Sequence, residues 1–176
     1  MNKNTIIILG FPGIGKTRFS QTTTLDVADS DSSMFSWVDD TKTQRHPDWP
    51  VNYKSHISEL IGNKDIIFVS THHEVREMLR SDKALERRCF TVLPEADRYV
   101  EFMRNYEERG NDVRFIALMQ DKWECFRSDA LKHGVGRCVL LPYGRYIDDE
   151  LISRLSTYEK KTQHQDKLSL RKNGKH

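Results

Sequence analysis

The chain has 176 residues, 37% of them hydrophobic and 31% charged, with a formal net charge of +2. That length supports one compact core rather than two, and so small a net charge sets up no global field to draw in nucleic acid or an acidic membrane. No stretch reaches the roughly twenty apolar residues of a membrane span, and the first apolar run is too short and too early for a secretory signal, so a soluble, cytoplasmic chain is expected. Three cysteines, Cys89, Cys125 and Cys138, are odd in number and widely spaced, which suits reduced thiols rather than a disulfide framework.

Thr5-Ile6-Ile7-Ile8-Leu9 is a β-branched apolar run and predicts a strand buried on both faces. It leads straight into Gly10-Phe11-Pro12-Gly13-Ile14-Gly15-Lys16-Thr17, a complete G-x-x-x-x-G-K-T phosphate-binding loop. Each part has a physical task. Gly10, Gly13 and Gly15 permit the backbone angles that turn amide N–H groups, that of Ile14 among them, toward a β-phosphate, and the next helix adds positive potential at its start. Lys16 reaches the β- and γ-phosphates, and the Thr17 hydroxyl is a ligand for Mg²⁺. ATP and Mg²⁺ are therefore the expected ligands. Pro12 stiffens a loop that must hold its shape before the anion arrives.

A helix is expected from Lys16 to about Thr23, then a short strand Leu25–Ala28 ending in Asp29-Ser30-Asp31. An acceptor-side excursion spans about 32–62. It is polar and punctuated by Pro47 and Pro50 up to about Tyr53, with Trp37, Trp49 and Tyr53 spread through it, and helical over Lys54–Ile61 until Gly62-Asn63 breaks it. Asp65–Ser70 is the next strand, followed by a helix from His72 to about Ser81. Cys89–Leu93 is a strand stopped by Pro94. A charged helix, Ala96–Glu108, reaches a Gly110-Asn111 turn, and a long helix runs from Val113 to about Lys132. Val139–Leu141 is the last strand and Asp148–Tyr158 the last helix. Residues 159–176 form a basic tail with little apolar content, expected to be flexible and open to a weak nucleic-acid contact.

Five short apolar strands alternating with helices predict an α/β fold, a five-stranded parallel sheet sandwiched by helices, in a single domain over 1–158. Ligands then belong at the carboxyl ends of the strands. The phosphate loop, Asp29 with Asp31, and His72-His73-Glu74 all fall there. A GTPase switch needs an N-K-x-D element after a strand, whereas Asn63-Lys64-Asp65 leads into one. Motor-type ATPases end a strand in an acidic pair, whereas Phe68-Val69-Ser70-Thr71-His72 carries no carboxylate. Asp29 and Asp31 supply the alternative: one holds Mg²⁺ through water and the other meets the acceptor.

These features resemble the small P-loop kinases of the nucleoside-monophosphate, shikimate and gluconate kinase group, whose five-stranded sheets match the element count over roughly residues 3–158. Asp29-Ser30-Asp31 is similar to the Asp-x-Asp that shikimate-kinase-like members carry at this strand end. The stretches Asp29–Trp37 and Arg45-His46-Pro47-Asp48-Trp49-Pro50 make the chain most similar to nucleotide kinases encoded by tailed phages. The resemblance implies a P-loop NTPase fold and a short helical lid over about 95–112, whose arginines close on the transferring phosphoryl group. Arg98, Arg104 and Arg109 lie there, Arg104 and Arg109 ahead, although their alternation with glutamates also suits surface ion pairs.

The acceptor is read from competing demands. A monophosphate needs cationic clamps, for which Arg45, His46, Lys54, His72 and Arg76 are placed. A hydroxyl needs a base, for which Asp31 is placed. Trp37, with Trp49 and Tyr53, offers a face for a nucleobase. Adjacent His72 and His73 point apart and make a poor shared metal site. The resemblance implies phosphoryl transfer from ATP to a nucleotide acceptor, a (deoxy)nucleoside monophosphate first. The alternatives are a nucleoside or modified base in DNA, and a P-loop ATPase or nucleotide-binding protein that transfers nothing.

Overall fold

A computed structural model describes residues 4–160; all of the basic tail beyond Lys160 lies outside the described residues. The chain forms β1 (Ile6–Gly10), α1 (Lys16–Thr22), β2 (Val27–Asp29), α2 (Ser33–Ser36), α3 (Val51–Leu60), β3 (Ile66–Val69), α4 (His73–Arg80), α5 (Lys83–Glu86), β4 (Cys89–Pro94), a 3₁₀ turn (Ala96–Arg98), α6 (Tyr99–Glu108), α7 (Val113–Lys132) and β5 (Arg137–Leu141). A last helix, α8, covers 149–160. The five strands make one all-parallel sheet in the order β2-β3-β1-β4-β5, flanked by helices.

β1 is central because it is the most apolar segment, and every one of its residues is buried. Ile8 lies level with Phe68 of β3 on one side and Phe90 of β4 on the other. Alternation along the strand sends Ile6 and Ile8 into one core with Phe19 of α1 and with Ile152 and Leu155 of α8. Ile7 and Leu9 enter the other with Ile57 of α3, Val75 and Leu79 of α4 and Leu85 of α5. Helix α1 and helices α3 to α5 therefore cover opposite faces. Each fully buried Ile or Leu contributes roughly 1.5–3 kcal/mol, so β1 alone accounts for much of the sheet's stability. β2, three residues long and no more than half-buried, contributes little.

Several expected boundaries shift for local reasons. β2 starts at Val27 and includes Asp29. α3 begins at Val51, directly after Pro50, because proline is well suited to a helix start. α2 and α5 are four residues each, too short for a hydrophobic period to show. α5 is fixed by its cap, Asp82, whose carboxylate accepts from the Ala84 and Leu85 amides.

The segment expected to be a lid is tied into the body. Arg98 is fully buried. It pairs in bidentate fashion with Glu101, at 2.8 Å for both bonds, and Nη1 donates to the Arg145 carbonyl at 2.6 Å. Its guanidinium lies 4.8 Å from the Phe102 ring centre and 4.9 Å from that of Tyr146. Glu101 also accepts the Tyr146 hydroxyl at 2.5 Å. The bonds from Arg98, with that of Tyr146, hold the Glu101 carboxyl down at about 2.

Removing one partner of a buried, hydrogen-bonded ion pair leaves the other charge uncompensated, so Glu101→Gln should cost roughly 3–5 kcal/mol in urea unfolding at pH 7. The Glu101 contribution is complete above the ordinary glutamate value near 4.3 and is lost as pH falls toward 2. The gap between the parent and Glu101→Gln proteins should therefore narrow progressively below about pH 4.

Candidate functional site

The loop after β1 is bent around a space it does not fill. Gly13 and Gly15 take φ of +85° and +97°, a region L side chains rarely adopt. A Cβ on Gly13 would sit 2.9 Å from the Tyr106 ring and 3.1 Å from that of Phe102; one on Gly15 would lie 3.1 Å from Tyr146 Cβ. The Tyr106 hydroxyl donates to the Pro12 carbonyl at 2.8 Å, and the Ile147 amide to the Ile14 carbonyl at 3.0 Å. α6 and the loop before α8 thus clamp the turn from outside.

Inside the turn the amides of Gly13, Gly15, Lys16 and Thr17 donate to no acceptor among the described residues. Most backbone N–H groups in folded chains are paired. A run of unpaired ones converging at a helix start is a site for an anion. Lys16, whose Cδ lies 3.1 Å from where a Gly10 Cβ would stand, folds back over the loop. Neither its ammonium nor the Thr17 hydroxyl has a partner among the described residues. The Ile14 amide, expected to face the anion, donates instead to the Phe11 carbonyl at 3.4 Å, and its fully buried side chain anchors the turn.

The carboxylates at the end of β2 differ. Asp29 is exposed, with no hydrogen bond or ion pair among the described residues. Asp31 is also exposed but accepts from the Ser33 amide at 2.9 Å and the Ser33 hydroxyl at 2.8 Å, the geometry of a local turn. The Tyr53 hydroxyl donates to the Ser30 carbonyl between them at 2.9 Å, and burial raises its pKa.

Acceptor-side residues gather around the start of α4. The Arg45 guanidinium lies 4.6 Å from the Trp37 ring centre and 5.4 Å from that of Trp49, and bonds Glu74 at 2.7 Å. Trp49 stacks on Tyr53, and Phe35 packs against Tyr53 and His56. The excursion's aromatics thus pack on one another, and one Trp37 face is covered by Arg45. His72 has an exposed outer edge, while desolvation on its protein side holds the imidazole below its ordinary value. Asp31, Arg45, Glu74 and Arg76 all act on it electrostatically, so these residues share one neighbourhood.

Arg76, read from the sequence as a surface clamp, is only 1% exposed. It bonds Asp129 of α7 through Nη2, while Nε and Nη1 have no hydrogen-bond partner among the described residues. Of the lid arginines, Arg98 is structural. Arg104 is exposed and pairs with Glu108 along the helix at 3.8 Å, and Arg109, at the end of α6, is exposed with no ion pair among the described residues. No group of three or more His, Cys, Asp or Glu able to hold a metal occurs among the described residues.

Next to Gly15 is a cavity of about 360 Å³ bounded by Arg18 and Thr22 of α1 and by Gly144, Tyr146 and Asp149. The sequence placed ligands at the carboxyl ends of the strands, and the loop after β5 is one of these ends. Arg18 and Tyr146 escaped it because nothing in their local pattern marks them; only the fold brings the loop after β5 against α1. No family model and no curated protein matches the chain.

Gly13→Ala should lower stability by about 1–3 kcal/mol, from the strained φ and the ring contacts together, which a thermal melt would register. Arg45→Ala should remove the cation holding Trp37 and Trp49 to α4, raising tryptophan exposure to acrylamide quenching while the melting temperature moves little.

Proposed function

We propose that the chain is an ATP-dependent phosphotransferase of the P-loop kinase type, moving the γ-phosphoryl group to a nucleotide-type acceptor, a (deoxy)nucleoside monophosphate first. The observation that carries this reading is the ring of amides at Gly13, Gly15, Lys16 and Thr17 that, like the Lys16 ammonium beside it, have no partner among the described residues. Such a ring is matched by a phosphate bearing several acceptor oxygens and by no neutral ligand of the same size. The sheet supports the same placement. From β1 the chain crosses to β2, beyond β3, and from β3 it crosses back past β1 to β4, so the loop after β1 lies where connections diverge. The cavity beside Arg18 and Tyr146 has room for a donor base.

The residues fit a divalent cation. Thr17 and Asp29 offer oxygens whose side chains have no partner among the described residues, and an exposed carboxylate suits a hard ion that keeps much of its water. When bound, Mg²⁺ neutralises charge on the β- and γ-oxygens. Lys16 steadies the transferring group, the loop amides orient it, and Arg109, exposed at the end of α6 with no ion pair among the described residues, reaches developing charge. Asp31 and Arg45, which both act on His72, stand on the acceptor side. Arg45 clamps an anionic acceptor if Glu74 yields it. Asp31 accepts the proton of a hydroxyl acceptor, the reading next in line.

Lys16→Ala should weaken a non-hydrolysable ATP analogue with Mg²⁺ by about 10- to 100-fold, the value of one or two charge-assisted bonds, in isothermal titration calorimetry. Because the Lys16 ammonium has no partner among the described residues, the melting temperature should hold. Unchanged affinity would remove the triphosphate assignment. Incubation with γ-labelled ATP and a panel of nucleosides, monophosphates and oligonucleotides should place label on a monophosphate. Label released only as inorganic phosphate would favour an ATPase, and label on oligonucleotide a nucleic-acid kinase. Asp31→Asn should spare a monophosphate acceptor and cut transfer to a hydroxyl by about 100-fold or more.

A further inference from the structure

We infer that the cavity between α7, the phosphate loop and the end of β3 is the pocket for the acceptor's nucleobase; this rests on the phosphotransferase reading above and assigns that acceptor a place. The cavity measures about 390 Å³, within the range of small-molecule sites. Phe11 and Pro12 of the phosphate loop form one wall, and Phe115, Leu118 and Phe126 of α7 form the facing one. Leu118 and Phe126 are 47% and 40% exposed, so large apolar side chains stand uncovered at its rim.

The polar boundary is as selective as the apolar walls. Thr71 and His72 close the side toward β3, and Asp129 lines the α7 side. The Asp129 carboxylate is held by Arg76 and by His133 Nδ1 at 3.0 Å, yet stays about half exposed. A ligand matched to this place has flat apolar faces and an N–H edge, which describes a nucleobase. Charge and stacking elsewhere favour the same assignment. The excursion's aromatics are spent on each other and on Arg45, and the donor-side cavity lies across the loop, beside Gly15. With the phosphate loop as a shared wall, a base held here keeps its sugar and phosphate beside the transferring group.

The test is calorimetric titration of the four deoxynucleosides and their 5′-monophosphates into the parent protein and into Leu118→Trp, which fills the mouth, and Phe126→Asp, which charges it. At least one monophosphate should bind the parent protein, and both variants should weaken it tenfold or more. The affinity for a non-hydrolysable ATP analogue should match the parent's, which also shows that the variants are folded. If no nucleoside or monophosphate binds at millimolar concentration, or if both variants bind as the parent does, the pocket assignment is overturned. Loss of the ATP analogue in both variants, with their melting temperatures kept, would also overturn it by giving the cavity to the donor. The phosphotransferase reading fails separately: a monophosphate that binds and is blocked by both variants but never receives label leaves the pocket standing and removes the reaction.

Discussion

Unpaired backbone donors are costly, and the structure around the phosphate loop is what makes them tolerable. A turn left to itself would close its amides onto its own carbonyls or onto water in many shapes. Here Phe102 and Tyr106 press on Gly13, Tyr146 presses on Gly15, and two hydrogen bonds to the Pro12 and Ile14 carbonyls hold those acceptors outward. The amides are left facing a gap. What suits the site to an anion follows from this outward fastening, and the donors need no rearrangement to meet one.

The fastening itself depends on one buried ionic cluster. Arg98 and Glu101 join the start of α6 to the loop after β5 through the Leu141 and Arg145 carbonyls and the Tyr146 hydroxyl. Both elements that press on the phosphate loop, α6 and the 142–147 segment, are thus bolted to each other. A buried pair adds little net stability over an apolar replacement. Its contribution lies in geometry: a bidentate guanidinium fixes orientation as well as distance.

The turn after β1 was legible in the sequence because its information is local. A strand of β-branched residues, three glycines and a lysine at fixed offsets dictate a loop within thirteen consecutive residues. The long helix Val113–Lys132 was equally plain, since twenty residues of helical pattern leave no competing period. The surroundings of α4 and α6 were not legible to the same degree. Arg76 read as a surface cation, but its burial is set by Asp129, 53 positions away. Arg98 read as one of three lid arginines, and only contacts with residues 141–146 separate it from Arg104 and Arg109. Trp37, Trp49 and Tyr53 read as a platform, yet whether an aromatic face is free or covered depends on what folds over it. Long-range pairing decides such questions, and a single sequence does not display it.

The two sides of the site also differ in stiffness, which follows from β2. That strand has three residues, sits at the sheet edge and carries Asp29 at its tip, while the segment beyond it is held by single hydrogen bonds from Tyr53 to Ser30 and between Ser32 and Ser70, by Phe35 against Tyr53, and outermost by the Arg45 stack and one half-exposed ion pair. Local opening there is inexpensive compared with the buried clasp on the opposite flank. A ligand entering at the loop after β1 therefore meets a preformed receptor and loses little affinity to ordering, whereas one bound beside β2 must recruit its own enclosure. For the phosphotransferase proposed above, that difference favours binding the triphosphate before the recipient's reacting end is seated.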